Sequence, residues 1–189
     1  MYSRQILEQE RTFGVSGLLY RGNLLMFDRE TESLWSQIRS EAVTGPLTGT
    51  RLAVLPSTLT TWERWRSKYP ATQVLSFETG YERNYEIDPY HYYYQQQKGF
   101  WSFFPLEPGE TEKELVVGIA IKGAAKAYPL VVLRQQGRLE DQIAGQKVLL
   151  EFDPATDNLT VRDAQGSPQE HVTAYWFVWK ALWPETQRF

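Results

Sequence analysis

Two twelve-residue stretches of this chain align without a gap. They are Trp62-Glu63-Arg64-Trp65-Arg66-Ser67-Lys68-Tyr69-Pro70-Ala71-Thr72-Gln73 and Trp176-Phe177-Val178-Trp179-Lys180-Ala181-Leu182-Trp183-Pro184-Glu185-Thr186-Gln187. Both tryptophans, the proline, the threonine and the glutamine coincide, and the third ring is Tyr69 in one copy and Trp183 in the other. Rings at i, i+3 and i+7 fall on one face of a helix, and the proline ends that helix because the residue before it is pushed out of α geometry. Whatever else the chain folds into must therefore supply a surface for each of two aromatic helical faces, and the expectation is that both dock on a β-sheet in the same way. The first copy carries Glu63, Arg64 and Lys68 between its rings and the second carries Phe177, Val178 and Leu182, which predicts deeper burial for the second. Thr60 with Glu63 three residues on reads as a capping box. Upstream of the tryptophans the similarity fades, so duplication of a whole half is a hypothesis only.

The surface for those helices reads as antiparallel sheet. Arg11 to Tyr20 and Leu24 to Phe27 flank the turn Arg21-Gly22-Asn23 and form a hairpin, with Gly14 and Gly17 marking a bulge in its first strand. Ser33 to Ser36 and Arg51 to Leu55 are short strands. Val117, Ile119 and Ile121 alternate toward one face, Lys122-Gly123 turns, and Ala124 to Leu130 returns. Val148 to Phe152 and Leu159 to Arg162 flank the turn-rich Asp153 to Asn158, whereas Glu140-Asp141 reads as a turn. The fold class is thus mainly β (α+β), antiparallel β meanders with two short Trp-rich helices in a pseudo-repeat. One domain spans 1–189, with halves of about 1–80 and 115–189 joined by an aromatic-rich connector, 81–114.

The connector is unusual in composition. Ten of the 24 residues from Tyr81 to Phe104 are aromatic, including Tyr92-Tyr93-Tyr94 and Trp101. A long segment without periodicity inside a compact domain calls for packing or for function, and burial across the core is the reading favoured here. Tyrosine and tryptophan also hold sugars and peptides through flat apolar faces with a polar tip.

Several chemistries find no support. The formal net charge of −3, from 20 basic and 23 acidic residues, offers no footprint for nucleic acid. No apolar run approaches the roughly 20 residues of a membrane helix, and Met1-Tyr2-Ser3-Arg4-Gln5 lacks a signal-peptide core, so the sequence as written reads as soluble and without an export signal. There is no cysteine, and only two histidines, His91 and His171, without partners at a metal-ligand spacing. Neither a cofactor nor a metal is expected. Gly14-Val15-Ser16-Gly17 is one residue short of a nucleophile elbow and lies in a strand. Paired carboxylates leave no local signature, and Asp28, Glu30 and Glu32, close in sequence to Trp35, are the acids to weigh.

The runs Thr12-Phe13-Gly14-Val15-Ser16-Gly17-Leu18-Leu19-Tyr20 and Leu25-Met26-Phe27-Asp28-Arg29-Glu30-Thr31-Glu32-Ser33-Leu34-Trp35-Ser36-Gln37 closely resemble the bacterial and archaeal family named only as domain of unknown function 3179. The resemblance continues through Gly45-Pro46-Leu47, Thr61-Trp62, Asp88-Pro89-Tyr90, Ala125-Lys126-Ala127-Tyr128-Pro129-Leu130 and Tyr175-Trp176. It implies no reaction. Members of the family look as if they begin with a further segment holding a first Ala-Tyr-Pro-Leu motif, a His-Glu pair and a Cys-Pro-x-Cys motif, often behind an export signal. In this chain Gln136-Gly137 and Asp153-Pro154 stand where the second copies of the pair and of the cysteine motif would fall, so the ligands of any such site are missing. The resemblance therefore leaves open a fragment, an alternative start or a degenerate copy, with a location that is cytoplasmic as written and exported if the chain is truncated. The functional expectation is a non-catalytic module that binds a glycan or a protein surface through Asp28, Arg29, Trp35, Gln37, Tyr90, His91, Tyr93 and Trp101. The alternative is a hydrolase-like enzyme completed by a missing N-terminal segment.

Overall fold

The computed structural model describes residues 1–55, 57, 60–96 and 112–189. The first half opens with a two-stranded ribbon, β1 (Gln5–Ile6) and β2 (Gln9–Glu10), and continues as a four-stranded antiparallel meander of β3 (Phe13–Tyr20), β4 (Asn23–Asp28), β5 (Leu34–Ser36) and β6 (Glu41–Thr44). The expected β3–β4 hairpin forms, and its register shifts between Val15 and Leu19 as the two glycines predict. Gly17 takes a φ of +74°, and Gly14 lies against the Phe27 ring, where a Cβ would meet carbon at 2.5 Å. Ile6, Trp35, Ala42 and Leu52 form the small core of this half. The strand expected from Arg51 to Leu55 is reduced to single bridges, Arg51 with Glu41 and Val54 with Tyr2, because the four-stranded sheet ends at β6.

The second half contains two sheets. β7 (Leu115–Ile121) and β8 (Ala124–Pro129) are the predicted hairpin, flanked by β12 (Val172–Tyr175) and by the parallel C-terminal β13 (Gln187–Arg188). A meander of β9 (Arg138–Ile143), β10 (Gln146–Asp153) and β11 (Asn158–Asp163) packs on one face of that hairpin. Alternation along β7 divides its work. Val117, Ile119 and Ile121 join Tyr128, Leu139, Val148 and Leu150 in the main core, while Val116 faces the other way with Ala125 and Ala127.

One element of this half was not read from the sequence, and one reading needs correction. The apolar run after Pro129 is a helix, α3 (Leu130–Gln136), started by the proline at its N-cap and stopped by Gly137 at φ +71°. Glu140 and Asp141 are not a turn. They sit within β9, and Asp141 takes an ion pair from Lys126 at 2.6 Å and a hydrogen bond from the Tyr128 hydroxyl at 2.8 Å. Burial alone would raise the Asp141 carboxyl, but Lys126, the Gln142 amide and Tyr128 outweigh it and hold the group below its ordinary range.

The two Trp units form α1 (Trp62–Lys68) and α4 (Trp176–Leu182). The N-cap of α1 is Thr61, not Thr60. Its hydroxyl accepts from the Arg64 amide, and so no acid stands at the capping-box position. Thr60 instead donates to the Thr156 carbonyl at 3.0 Å. The described part of the connector adds one short helix, α2 (His91–Gln95), with no buried residue.

Candidate functional site

Of the residues singled out in the sequence, Asp28, Trp35 and Gln37 lie together in the first half. Asp28 ends β4 and is fully buried, as is Trp35 of β5, whose partner across the strands is Met26. The Trp35 indole donates to Asp28 Oδ2 at 2.8 Å, and the Thr31 amide donates to Oδ1 at 2.7 Å, with the Thr31 hydroxyl also within 2.8 Å. Burial pushes the Asp28 carboxyl up, but the bonds from Trp35 and Thr31 prevail and keep it ionised below the usual carboxylate range. Phe13 meets Trp35 edge-on at 5.8 Å. This constellation ties the β4–β5 turn to the small core. Arg29 lies over the Phe27 ring, and the Gln37 carbonyl accepts from the Tyr2 hydroxyl. Glu30, the acid weighed as a partner for Asp28, accepts from the amide and hydroxyl of Thr12. Among the described residues no group of three or more His, Cys, Asp or Glu side chains is placed to hold a metal.

Tyr90, His91 and Tyr93 belong to a different region. From Thr60 to Gln96 no residue is buried, and Trp62, Trp65, Tyr69, Phe77, Tyr81, Tyr85, Tyr90, Tyr92 and Tyr94 are all exposed. The burial expected for the connector is therefore not found in this part of it. One anchor is Lys113, whose ammonium lies 3.8 Å from the Tyr93 ring centroid and donates to the Tyr93 carbonyl. Trp101 lies outside the described residues.

The two Trp helices match closely in local geometry. The residue after α1, Tyr69, sits at φ −129°, ψ 73°, and the residue after α4, Trp183, at φ −128°, ψ 74°. In each copy the second tryptophan's indole donates to the threonine past the proline: Trp65 to Thr72 at 3.0 Å, Trp179 to Thr186 at 2.9 Å. Their surroundings differ. Six of the seven α4 residues are buried, and the Trp179 ring lies so close over Gly118 of β7 that a Cβ there would approach it to 2.3 Å. No α1 residue is buried, and a shallow open groove of about 460 Å³ runs along Trp62, Glu63, Arg66, Ser67 and Pro70. The expected deeper burial of the second copy is observed. The expected common docking is not: among the described residues no strand packs on α1 as β7 packs on α4.

A further cavity, of about 230 Å³, opens between the halves, and no local pattern announced it. Its lining comes from Ile38 to Val54, from the β7–β8 hairpin and from Glu170 to Trp183.

A family model described as protein of unknown function (DUF3179) matches residues 1–186, nearly the whole length. The chain belongs to the DUF3179 family. No curated protein and no solved structure matches this DUF3179 member. The second of the sequence runs that carried the resemblance is structural at its centre: Thr31 and Trp35 of the DUF3179 chain both donate to the buried Asp28 carboxylate. Among the described residues no helix is long and apolar enough to cross a membrane.

Proposed function

We propose that this DUF3179 member is a non-catalytic interaction module that uses α1 and the exposed segment after it to hold a protein surface. One observation carries the reading: α1 reproduces α4 down to its cap geometry and its indole–threonine bond, yet its three rings are exposed. Exposed apolar patches of this kind mark interaction sites. The partner expected is a β-strand presenting a glycine to Trp65, as β7 presents Gly118 to Trp179. Tyr90, His91, Tyr93 and Trp101 of the following segment are proposed to contribute further contacts. Asp28, Arg29, Trp35 and Gln37 support the module from within the first half.

A photo-cross-linking side chain at Arg66, on the groove beside Trp62, tests this in cells. The expected result is a covalent adduct with a discrete polypeptide that disappears with Trp65→Ala and persists with Tyr20→Ala. If no polypeptide is captured and neutral oligosaccharides quench the tryptophan fluorescence of the wild type but not of Trp65→Ala, the partner is a glycan and the protein reading is wrong.

A further inference from the structure

The cavity between the halves has a chemistry unlike the chain around it. Three cations, Arg39, Arg51 and Lys122, line it against one carboxylate, Glu170, in a protein whose formal net charge is −3. Arg39 bonds Glu41 through Nε at 2.6 Å and lies over the Trp183 ring at 5.2 Å, which fixes its plane and leaves both terminal nitrogens for other acceptors. Arg51 meets Glu170 at 3.3 Å in an exposed pair, the kind that contributes little and exchanges readily. Lys122 forms no ion pair among the described residues and is carried on the β7–β8 turn. Arg39 and Arg51 each have a carboxylate partner, so Lys122 supplies the excess positive charge, and the walls of Trp179 and Trp183 limit its screening by solvent.

His171 adds a directional group. A carbonyl can only accept, so the 3.1 Å contact between His171 Nδ1 and the Gln169 oxygen places the proton on Nδ1 and leaves Nε2 to accept. Burial pushes the His171 pKa down, which favours that neutral form. A neutral imidazole nitrogen suits a hydroxyl donor, and guanidinium and ammonium groups suit a carboxylate. At about 230 Å³ the cavity falls below the roughly 300–1,000 Å³ of sites for drug-sized ligands.

We propose that the cleft lined by Arg39, Arg51, Lys122, His171 and Trp183 is a binding site for a small hydroxylated carboxylate of monosaccharide size, a sugar acid. The site is independent of the α1 surface, because none of its lining residues belongs to α1 or α2. Titration calorimetry with glucuronate, and with glucose, the methyl ester of glucuronate and inorganic phosphate as comparisons, tests it on the full chain. Glucuronate is expected to bind at least tenfold more tightly than each of the three. Arg51→Gln and Lys122→Gln, both at exposed side chains that leave the core untouched, should each weaken glucuronate binding about tenfold, with circular dichroism confirming the fold. Trp65→Ala should leave it unchanged, so loss of the α1 interaction and loss of this site are separable. Equal affinity for glucuronate and its ester, phosphate binding as tight as glucuronate, or wild-type affinity in both glutamine variants would overturn the proposal.

Discussion

At the scale of single residues, the buried carboxylate of Asp28 is the clearest case of a polar group held by its neighbours. An indole, an amide and a hydroxyl all point hydrogen at it, and a buried acceptor so satisfied stabilises the fold, whereas its removal leaves those donors without a partner. Asp28→Asn keeps the shape but turns charge-assisted bonds into neutral ones and places an NH2 group among donors. The expected cost at pH 7 is about 1–3 kcal/mol of unfolding free energy, measured by urea denaturation. The sign of the pH dependence follows from the lowered pKa. Stability from this ionised group is fully present above the unfolded-state value of about 3.9 and is lost as pH falls through the lower folded-state value. The difference between wild type and Asp28→Asn should therefore shrink below about pH 4, and a difference that persists unchanged in acid would mean the charge has no part in it.

At the scale of elements, the paired Trp helices offer a controlled comparison, since the same ring occupies the same local geometry in two environments. Trp179→Ala removes a ring packed on Gly118 and among Val116, Ala125 and Ala127, and should cost about 3–5 kcal/mol. Trp65→Ala removes a ring 38% exposed and should change stability by less than about 1 kcal/mol. Similar losses in the two variants, read from thermal melts, would mean that α1 is docked in solution. The local half of this pattern was legible in the sequence: ring spacing and the proline stop place both helices, and alternation with turn residues places the β3–β4 and β7–β8 hairpins. Other elements were not. Leu130-Val131-Val132-Leu133 has the β-branched apolar character of a strand, and only Pro129 and Gly137 at its ends, acting together with packing on β7, β8 and β10, make it helical. Glu140 and Asp141 resemble turn formers because their strand partners, and the Lys126 that Asp141 pairs with, lie elsewhere in the chain.

At the scale of the whole molecule, the sequence could not show what a tertiary neighbour decides. The cleft draws on segments from Ile38 to Trp183, so no spacing encodes it, whereas the shallower burial of α1 is announced by the charged residues between its own rings. The same dependence on distant neighbours governs how the halves hold together. α4 packs on β7 through Trp176 and Trp179, and on the first half through Phe177, Val178 and Leu182, which meet Tyr20 and Ile38. Arg21 donates to the Ala181 carbonyl near the end of α4, and Gly22, at φ +81°, lies under the Phe177 ring, where a Cβ would stand at 3.1 Å. One helix thus packs against both halves, so the halves cannot separate without exposing a face of it. The expectation is a single calorimetric transition, with calorimetric and van't Hoff enthalpies equal. Gly22→Val tests the coupling: it forces a β-branched residue into a left-handed conformation and crowds Phe177, at a cost of about 1–3 kcal/mol. If the halves unfold as one body, that substitution lowers the whole transition and keeps it single. Should it instead split the melt, with the tryptophan fluorescence of α4 unchanged at the lower step, the first half unfolds by itself and α4 is held by the second half alone.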